Sequence, residues 1–506
     1  MTDTLPLPAL VEAFRARLRA AAPSDDTQLI ETHISLVLLA GEFAYKFKKP
    51  VNFGFVDFST LERRRHFCTR EVALNARYAP RLYLGVETVD IDGQREYAVR
   101  MRRFPAHATL AELLAGADVD ARLVQTFARQ LATQQRAAAP VEAGARPGSA
   151  ALVRQQMEAV ISAPLAALLP AALREALEVH LDKAMPLFTA RQAAGHVRDC
   201  HGDLHCANVV AYEGVLQAFD CIEFNDELRV IDSLSDAAFL LMDLDQRDAP
   251  QLGHQFLNSY LEAADDYAGL NLLALYCAYR ALVRAKVALL RGAQDSAGSA
   301  AEHGQALRHI ALAQAYLLPQ GRAGLVLTHG VSGSGKSHYA QKLAARSGFI
   351  HLRSDIERRR LAGLALDARS GSAPHAGLYE AAMNTATYAR LLTLAREVLN
   401  AGYSVVVDAT FLKEDDRAPF IALAAACGAP VHILCCDAPP DELRRRVATR
   451  AALGEDVSEA TVEVLERQLR QASALTPHER CLQVTTDMIE GGGRSLAALG
   501  RPRAHL

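Results

Sequence analysis

The chain contains no tryptophan, and phenylalanine and tyrosine bring the aromatic share to only 6% of its 506 residues. Single-stranded nucleic acid is held largely by stacking bases on aromatic rings, so this scarcity disfavours a nucleic-acid partner. The formal net charge is −3 at pH 7, which leaves no strong field to draw the chain to a polyanion or an anionic membrane. No apolar run reaches the length of about 20 residues that spans a bilayer. The opening stretch, MTDTLPLPALVEAFRARL, lacks the basic and apolar regions of a secretory signal. Nine cysteines, odd in number and scattered, do not make a disulfide framework. These absences predict a reduced, cytoplasmic protein without membrane association.

What is present is a globular composition, 50% hydrophobic and 22% charged. At roughly 100–200 residues per domain, the length suggests about three folding units. LIETHISLVLLAGEFAYKFKKP reads as a β-hairpin turning at Gly41-Glu42. STLERRRHFCTREVALNARY reads as a helix, with Ser59 and Glu62 spaced as a capping box. REYAVRMRRF reads as another strand. The next two hundred or so residues are Ala/Leu-rich and helical, with loops expected at 137–150 and 291–304. Beyond PQGRAG (319–324), short β-branched runs alternate with helical segments: GLVLTHG, FIHLRSD, YSVVVDATF, PVHILCCDAP and CLQVTTD. Buried strands of a doubly wound parallel sheet read this way.

GVSGSGKS, Gly330 to Ser337, fits G-x-x-x-x-G-K-S between a strand-like and a helix-like run. Gly330, Ser332, Gly333, Ser334 and Gly335 form a loop whose N–H groups can cradle phosphate. Lys336 would reach the β- and γ-phosphates, and the Ser337 hydroxyl would sit on Mg²⁺. Asp355 follows the second strand and can take the proton of an acceptor hydroxyl. Ser354 and Glu357 are spaced as a capping box that puts Asp355 in the first turn of a helix. Arg358 lies one turn further on and could hold the acceptor or a phosphate. Asp408 ends the SVVVDATF run, where an acidic residue would hold the water shell of Mg²⁺. Arg446 and Arg450, four apart on one helix face, suit a lid over the transferring phosphoryl group, the alternative being a solvated basic face. Residues 324–490 resemble the small P-loop kinases that include the gluconate-kinase-like, zeta-toxin-like and polynucleotide-kinase-like groups. That resemblance implies transfer of phosphate from ATP to a hydroxyl. It assigns Asp355 as base, Arg358 to phosphate, and Arg446 and Arg450 to the lid.

A second cluster, VRDCHGDLHCANVV (Val197 to Val210), carries two cysteines, two histidines and two aspartates. The spacing is poor for structural zinc, because Cys200 and Cys206 are six apart and no second C-x-x-C exists to complete a site. HGDLHCAN instead sets Asp203 and Asn208 in D-x-x-x-x-N, the spacing of the kinase catalytic loop. There the aspartate accepts the proton of the attacking hydroxyl and the asparagine binds Mg²⁺. His201 supports Asp203. VLQAFD supplies Asp220 as the second metal ligand. FAYKFKKP offers Lys46 for the phosphates, with Lys48 on the same face as the substitute, and Glu71 as the helix partner. Glu223 could also reach the metal. Asp232 and Asp236, with Arg229 nearby, read as a salt-bridge network below the site. His205 and Cys206 read as loop packing or acceptor-pocket lining.

Residues 25–310 therefore resemble the aminoglycoside-phosphotransferase-like branch of the protein-kinase fold. One departure is the absence of G-x-G-x-x-G: ETHIS (Glu31 to Ser35) occupies roughly that place. This leaves ATP or GTP open at the front site. The whole chain resembles bacterial fusions of an aminoglycoside-phosphotransferase-like domain with an AAA-type ATP-binding domain. The expected fold is mixed α/β and α+β, a bilobal protein-kinase-like domain followed by a doubly wound P-loop domain. The expected boundaries are 1–110 for the N-lobe, 111–318 for the helical C-lobe and 322–506 for the P-loop kinase. The expected function is a bifunctional small-molecule kinase using ATP and Mg²⁺ on a hydroxyl acceptor. The rivals are a P-loop kinase regulated by a front pseudokinase, a nucleic-acid 5′-hydroxyl kinase, and a toxin-like kinase acting on a nucleotide sugar.

Overall fold

The computed structural model describes residues 5–21, 27–54, 56–116, 119–294, 299–318, 321–365, 381–453, 461–491 and 499. The chain divides into two compact units, Met1–Ser162 with Leu181–Asp243, and Ala163–His180 with Leu244–Leu506.

The first unit carries an antiparallel sheet in the order β1-β2-β3-β5-β4. Its strands are β1 Thr27–Glu31, β2 Ser35–Ala40, β3 Phe43–Lys48, β4 Tyr83–Ile91 and β5 Gln94–Arg102. The β2–β3 turn falls at Gly41-Glu42 as expected, with Gly41 at φ 56°. The chain also folds back one step earlier, so ETHIS is itself a hairpin turn between β1 and β2. Thr32 closes it: its N–H donates to the Ser35 carbonyl and its hydroxyl accepts from the Ser35 N–H, each at 2.9 Å.

Period two on β3 decides which side chains face the site. Tyr45 and Phe47 turn toward Phe14 of helix Leu7–Ala21, with ring centroids 5.2 and 5.9 Å away. Lys46 and Lys48 therefore take the opposite face. Helix Leu61–Asn75 is capped by Thr60, whose side chain accepts from the Arg63 N–H. The Ser59–Glu62 box does not form, because Ser59 Oγ is spent on Asp57 Oδ1 at 2.6 Å.

The same unit holds two short antiparallel strand pairs, of which only the second is a hairpin. β6 Val197–Asp199 pairs with β9 Val230–Asp232, and β7 Val209–Tyr212 pairs with β8 Val215–Ala218. The HGDLHCAN loop runs between β6 and β7, and Asp220 follows β8.

The second unit is built on a parallel sheet in the order β11-β12-β10-β13-β14. Its strands are β10 Leu325–His329, β11 Ile350–Arg353, β12 Val405–Asp408, β13 Val431–Cys435 and β14 Gln483–Val484, one for each expected run. Leu325, Val326, Leu327 and Val405 to Val407 are fully buried, as central parallel strands require. The loop expected at 291–304 is overturned. Helix Leu270–Gln294 and helix Ser299–Leu317 occupy most of it and pack side by side. Gly292 permits the approach, since a Cβ there would meet Glu302 Cβ at 3.2 Å.

Helix Pro250–Ala264 packs along helix Lys336–Ser347 and β11, so it lies in the same compact unit as the P-loop sheet. β11 is the sheet edge, and Asn258 covers it. Its Nδ2 donates to the Phe349 carbonyl at 3.0 Å, and its Oδ1 accepts from the His351 N–H at 2.7 Å. Among the described residues no helix is long and apolar enough to cross a membrane.

Candidate active sites

In the first unit, Lys46 and Lys48 share one glutamate. Lys46 Nζ donates to Glu71 Oε1 at 2.9 Å and also to Asp220 Oδ1. Lys48 Nζ donates to Glu71 Oε2 at 2.7 Å and also to Glu223 Oε1. Burial alone would push the Glu71 carboxyl up, but the two ammonium groups outweigh it and hold it at about 2. Burial likewise opposes charge on Lys46, yet Asp220 and Glu71 raise its pKa well above the ordinary lysine value.

The two lysines differ in what remains open to a ligand. The Lys48 side chain is 1% exposed, bound by two carboxylates, with its ammonium 4.8 Å from the centre of the Phe58 ring. Lys46 is 12% exposed and binds two carboxylates, which leaves a third N–H to offer a phosphate. Lys46 is thus the more open of the two lysines, and Lys48 is tied to the interior.

The HGDLHCAN loop is closed by its own ends. Asn208 Nδ2 donates to the Asp203 carbonyl at 3.0 Å and to Asp203 Oδ2 at 3.2 Å. Burial lowers the pKa of His201, whose Nε2 donates to the Phe219 carbonyl at 2.9 Å while its Nδ1 accepts the Asp203 N–H at 3.4 Å, the pattern of a neutral imidazole. Gly202 sits at φ +87°, and a Cβ there would meet the Leu228 carbonyl at 2.9 Å. Asp236 carries the loop from beneath, accepting the N–H groups of His201 at 3.0 Å and Gly202 at 2.9 Å, and Gln135 Nε2 at 3.1 Å. The salt-bridge reading of Asp236 is therefore corrected to a backbone brace. Asp232 keeps that reading, since Arg191 grips it through Nε at 2.5 Å and Nη2 at 2.8 Å. Arg229 pairs instead with Asp199 at 2.7 Å. His205 Nε2 lies 3.5 Å from Asp203 Oδ2, and the Cys206 N–H donates to Asp243 Oδ2 at 2.9 Å.

Tyr83, Asn75 and Asp243, none of them part of a motif, hold backbone N–H groups near the site. Only Asn75 left a signal: it follows Glu71 by four residues on one helix face.

The second unit has a cleft of about 700 Å³. It gathers Lys336, Ser337, Asp355, Arg358, Asp408 and Arg446. Gly330 (φ +147°) lies so close to the Cys436 carbonyl that a Cβ would be 2.3 Å from it. Gly333 and Gly335 also have positive φ. Lys336 Nζ donates to the Val331 carbonyl at 2.8 Å, folding over the loop it serves. The Ser332 N–H donates to Gln468 Oε1 at 2.7 Å. Burial would push the Asp408 carboxyl up, but hydrogen bonds from His351, at 3.3 Å, and Ser337, with the Lys336 charge, hold it below the ordinary range.

Asp355 lies in the first turn of helix Ser354–Leu361 as expected, and Arg358 Nη1 meets its Oδ1 at 3.2 Å. The Ser354–Glu357 box does not form. Ser354 is already helical, and the Glu357 carboxylate is taken by Arg360 and by Arg390 at 3.3 Å. Arg358 Nη2 also donates to Asn384 Oδ1 at 3.1 Å. Arg446 Nη1 reaches the Gly333 carbonyl at 3.3 Å, while its Nε binds Glu442 at 2.6 Å. The Arg450 side chain lies outside the described residues.

The donor sets suit Mg²⁺, which takes hard oxygen ligands. In the first unit they are the Asp220 carboxylate and the Asn208 amide oxygen, whose Nδ2 is already spent on Asp203. In the second they are the hydrogen-bonded pair Ser337 and Asp408. A structural zinc site is not supported, since among the described residues no group of three or more His, Cys, Asp or Glu side chains is placed to hold a metal ion.

Residues 60–273 match the family model described as Phosphotransferase enzyme family, and residues 325–475 match that of an AAA domain. The uncharacterized protein Rv2004c of Mycobacterium tuberculosis is 33% identical over 462 residues, 88% of this chain and 91% of that protein. Mb2027c of Mycobacterium bovis matches to the same extent. A choline/ethanolamine kinase family protein from Mesorhizobium loti aligns at 16% identity and a TM-score of 0.37, over 60% of this chain and 99% of its own. A gluconokinase from Sinorhizobium meliloti aligns at 20% identity and a TM-score of 0.24, over 35% of this chain and 93% of its own. With identity at this level sustained along nearly their whole length, the chain belongs to the family of the mycobacterial proteins, and it joins a phosphotransferase domain to a P-loop kinase domain.

Proposed function

We propose that the chain is a bifunctional small-molecule kinase with two phosphoryl-transfer sites, each moving the γ-phosphate of ATP to a hydroxyl of a sugar or related metabolite. The observation that carries this reading is the front site, where Lys46, Glu71 and Asp220 are joined by hydrogen bonds and Asp203 is joined to Asn208. A pseudokinase has no need of all five groups.

In the first unit Asp203 accepts the proton of the attacking hydroxyl. Asn208 orients its carboxylate, and Lys46 draws the nucleotide phosphates in. Asn208 and Asp220 would hold Mg²⁺, which supplies charge neutralisation at the phosphates when bound. In the second unit the loop N–H groups and Lys336 bind the phosphates, with Ser337 and Asp408 as the Mg²⁺ residues. Asp355 takes the acceptor proton, Arg358 holds acceptor or phosphate, and Arg446 and Arg450 close over the transferring group. The free cysteines support a reducing, cytoplasmic setting.

The test is incubation of the full chain with γ-labelled ATP, Mg²⁺ and a fractionated metabolite extract. Wild type is compared with Asp203→Ala and Asp355→Ala. Each variant should lose one labelled product and keep another, or stop at a singly phosphorylated intermediate if both sites serve one metabolite. Full transfer in Asp203→Ala would make the front domain a regulatory module. Label on a 5′-hydroxyl oligonucleotide would redirect the reading to nucleic acid.

A further inference from the structure

Lys48 is a second buried lysine for which nucleotide binding has no use. The four residues that begin at Asp220 explain it. The Asp220 N–H donates to the Tyr83 hydroxyl at 3.0 Å, the Cys221 N–H to Asn75 Oδ1 at 2.9 Å, and the Ile222 N–H to the His201 carbonyl at 3.1 Å. Asp220 itself sits at φ +62°, a conformation that non-glycine residues avoid unless their surroundings hold them there. The fourth residue, Glu223, is held by Lys48 through its carboxylate. Both side chains are withdrawn from water, at 1% and 4% exposure.

The charges in this cluster are linked. Three carboxylates, Glu71, Asp220 and Glu223, face two ammonium groups. Glu71 is divided, with Oε1 on Lys46 and Oε2 on Lys48. A buried ammonium that loses a counter-ion takes one from a neighbour, because an uncompensated charge in the interior is costly. Without Glu223, Lys48 would draw Glu71 toward itself. Lys46 would then rest on Asp220 alone and compete with a cation for that carboxylate.

We infer that Glu223 is a positioning residue: by holding Lys48 it keeps Glu71 on Lys46, and so leaves the Asp220 carboxylate available to nucleotide-bound Mg²⁺. This rests on the reading of the first unit as a nucleotide site. Glu223 then acts one step behind the metal rather than on it.

The test uses the full chain with Lys336→Ala, which silences the P-loop site. The probe is an ATP analogue with a fluorescent ribose substituent, and its binding is followed as Mg²⁺ is titrated. In Glu223→Gln the Mg²⁺ concentration for half-saturation should rise about tenfold, while binding without Mg²⁺ stays within about twofold. Adding Lys48→Met removes the orphaned ammonium and should bring the Mg²⁺ dependence back to within about twofold of the parent. An unchanged Mg²⁺ requirement in Glu223→Gln, with a raised one in Asp220→Asn, overturns the inference and leaves the site reading intact. No change in Asp220→Asn overturns the metal role of Asp220 itself, and the inference with it. Should Glu223→Gln fail to fold, the Lys48→Met/Glu223→Gln chain decides alone, since it buries no unpaired charge. Parent-like Mg²⁺ dependence supports the inference, and a tenfold loss overturns it.

Discussion

Asn208 binds Asp203 twice, through the carbonyl at 3.0 Å and through Oδ2 at 3.2 Å. One amide thus sets both the curvature of the loop and the aim of its carboxylate. Asp203→Asn keeps the shape and removes the base, so front-site transfer should fall by about 10²–10⁴-fold with little change in melting temperature. Asn208→Ala should lower transfer and also loosen the loop. Labelled-phosphate transfer in the Lys336→Ala chain measures both, and an Asp203→Asn chain with normal transfer would remove Asp203 as the base.

Gly330 accepts no side chain. A Cβ would stand 2.3 Å from the Cys436 carbonyl, and φ is +147°. Gly330→Ala should distort the phosphate loop at a cost on the order of 1–3 kcal/mol and abolish nucleotide binding at the second site. Front-site transfer should persist. Calorimetric titration with ATP would then count one site instead of two, and two intact sites would contradict the loop geometry.

His254 predicts an acid-sensitive second unit. Its Nδ1 meets the Ala345 carbonyl at 2.7 Å, and burial pushes its pKa down to about 4. The unfolded chain, at about 6.5, takes up the proton first. The stability associated with neutral His254 is therefore complete above pH ~6.5 and is lost as pH falls toward ~4, by about 3 kcal/mol at most. Urea unfolding of wild type and His254→Asn at pH 7 and pH 4 tests this. Wild type should lose more on acidification, and equal losses would clear His254.

Asn258 and Glu262 join the helix Pro250–Ala264 to the P-loop sheet. Asn258→Ala would leave the His351 N–H and the Phe349 carbonyl without that partner, at a cost of about 1–3 kcal/mol. Glu262 Oε2 lies 3.3 Å from Arg353, which ends β11 and lines the same cleft as Arg358. Glu262→Gln should therefore weaken P-loop transfer more than it lowers stability. Denaturant midpoints and labelled transfer in the Asp203→Ala chain separate the two effects, and an unchanged midpoint in Asn258→Ala would refute the edge-covering role.

Much of this architecture is legible in the amino-acid sequence. The five strands of the second unit are visible as short β-branched runs, most plainly in β10, β11 and β12, where a strand buried on both faces leaves no room for alternation. The β2–β3 turn was marked by Gly41. The capping boxes failed because a box is a spacing, and Ser59 and Glu357 found better partners in Asp57 and in Arg360 and Arg390. The expected loop at 291–304 misled because Gly292 is also what lets two helices touch. The sequence did not mark helix Pro250–Ala264 as part of the P-loop unit, since its ties to β11 join residues more than ninety positions apart.

The order of chemical groups along the chain was set by the sequence alone. D-x-x-x-x-N and G-x-x-x-x-G-K-S are local spacings, and a loop of six to eight residues holds its geometry wherever the rest of the chain goes. The β3 period likewise put Lys46 and Lys48 on one face. Which lysine keeps some exposure and which is locked inside is decided only by tertiary structure. That choice depends on Glu223, 175 residues away, and on the Phe58 ring. Two ammonium groups of equal chemistry become different when one of them is buried between carboxylates, and burial is a property of the packed molecule.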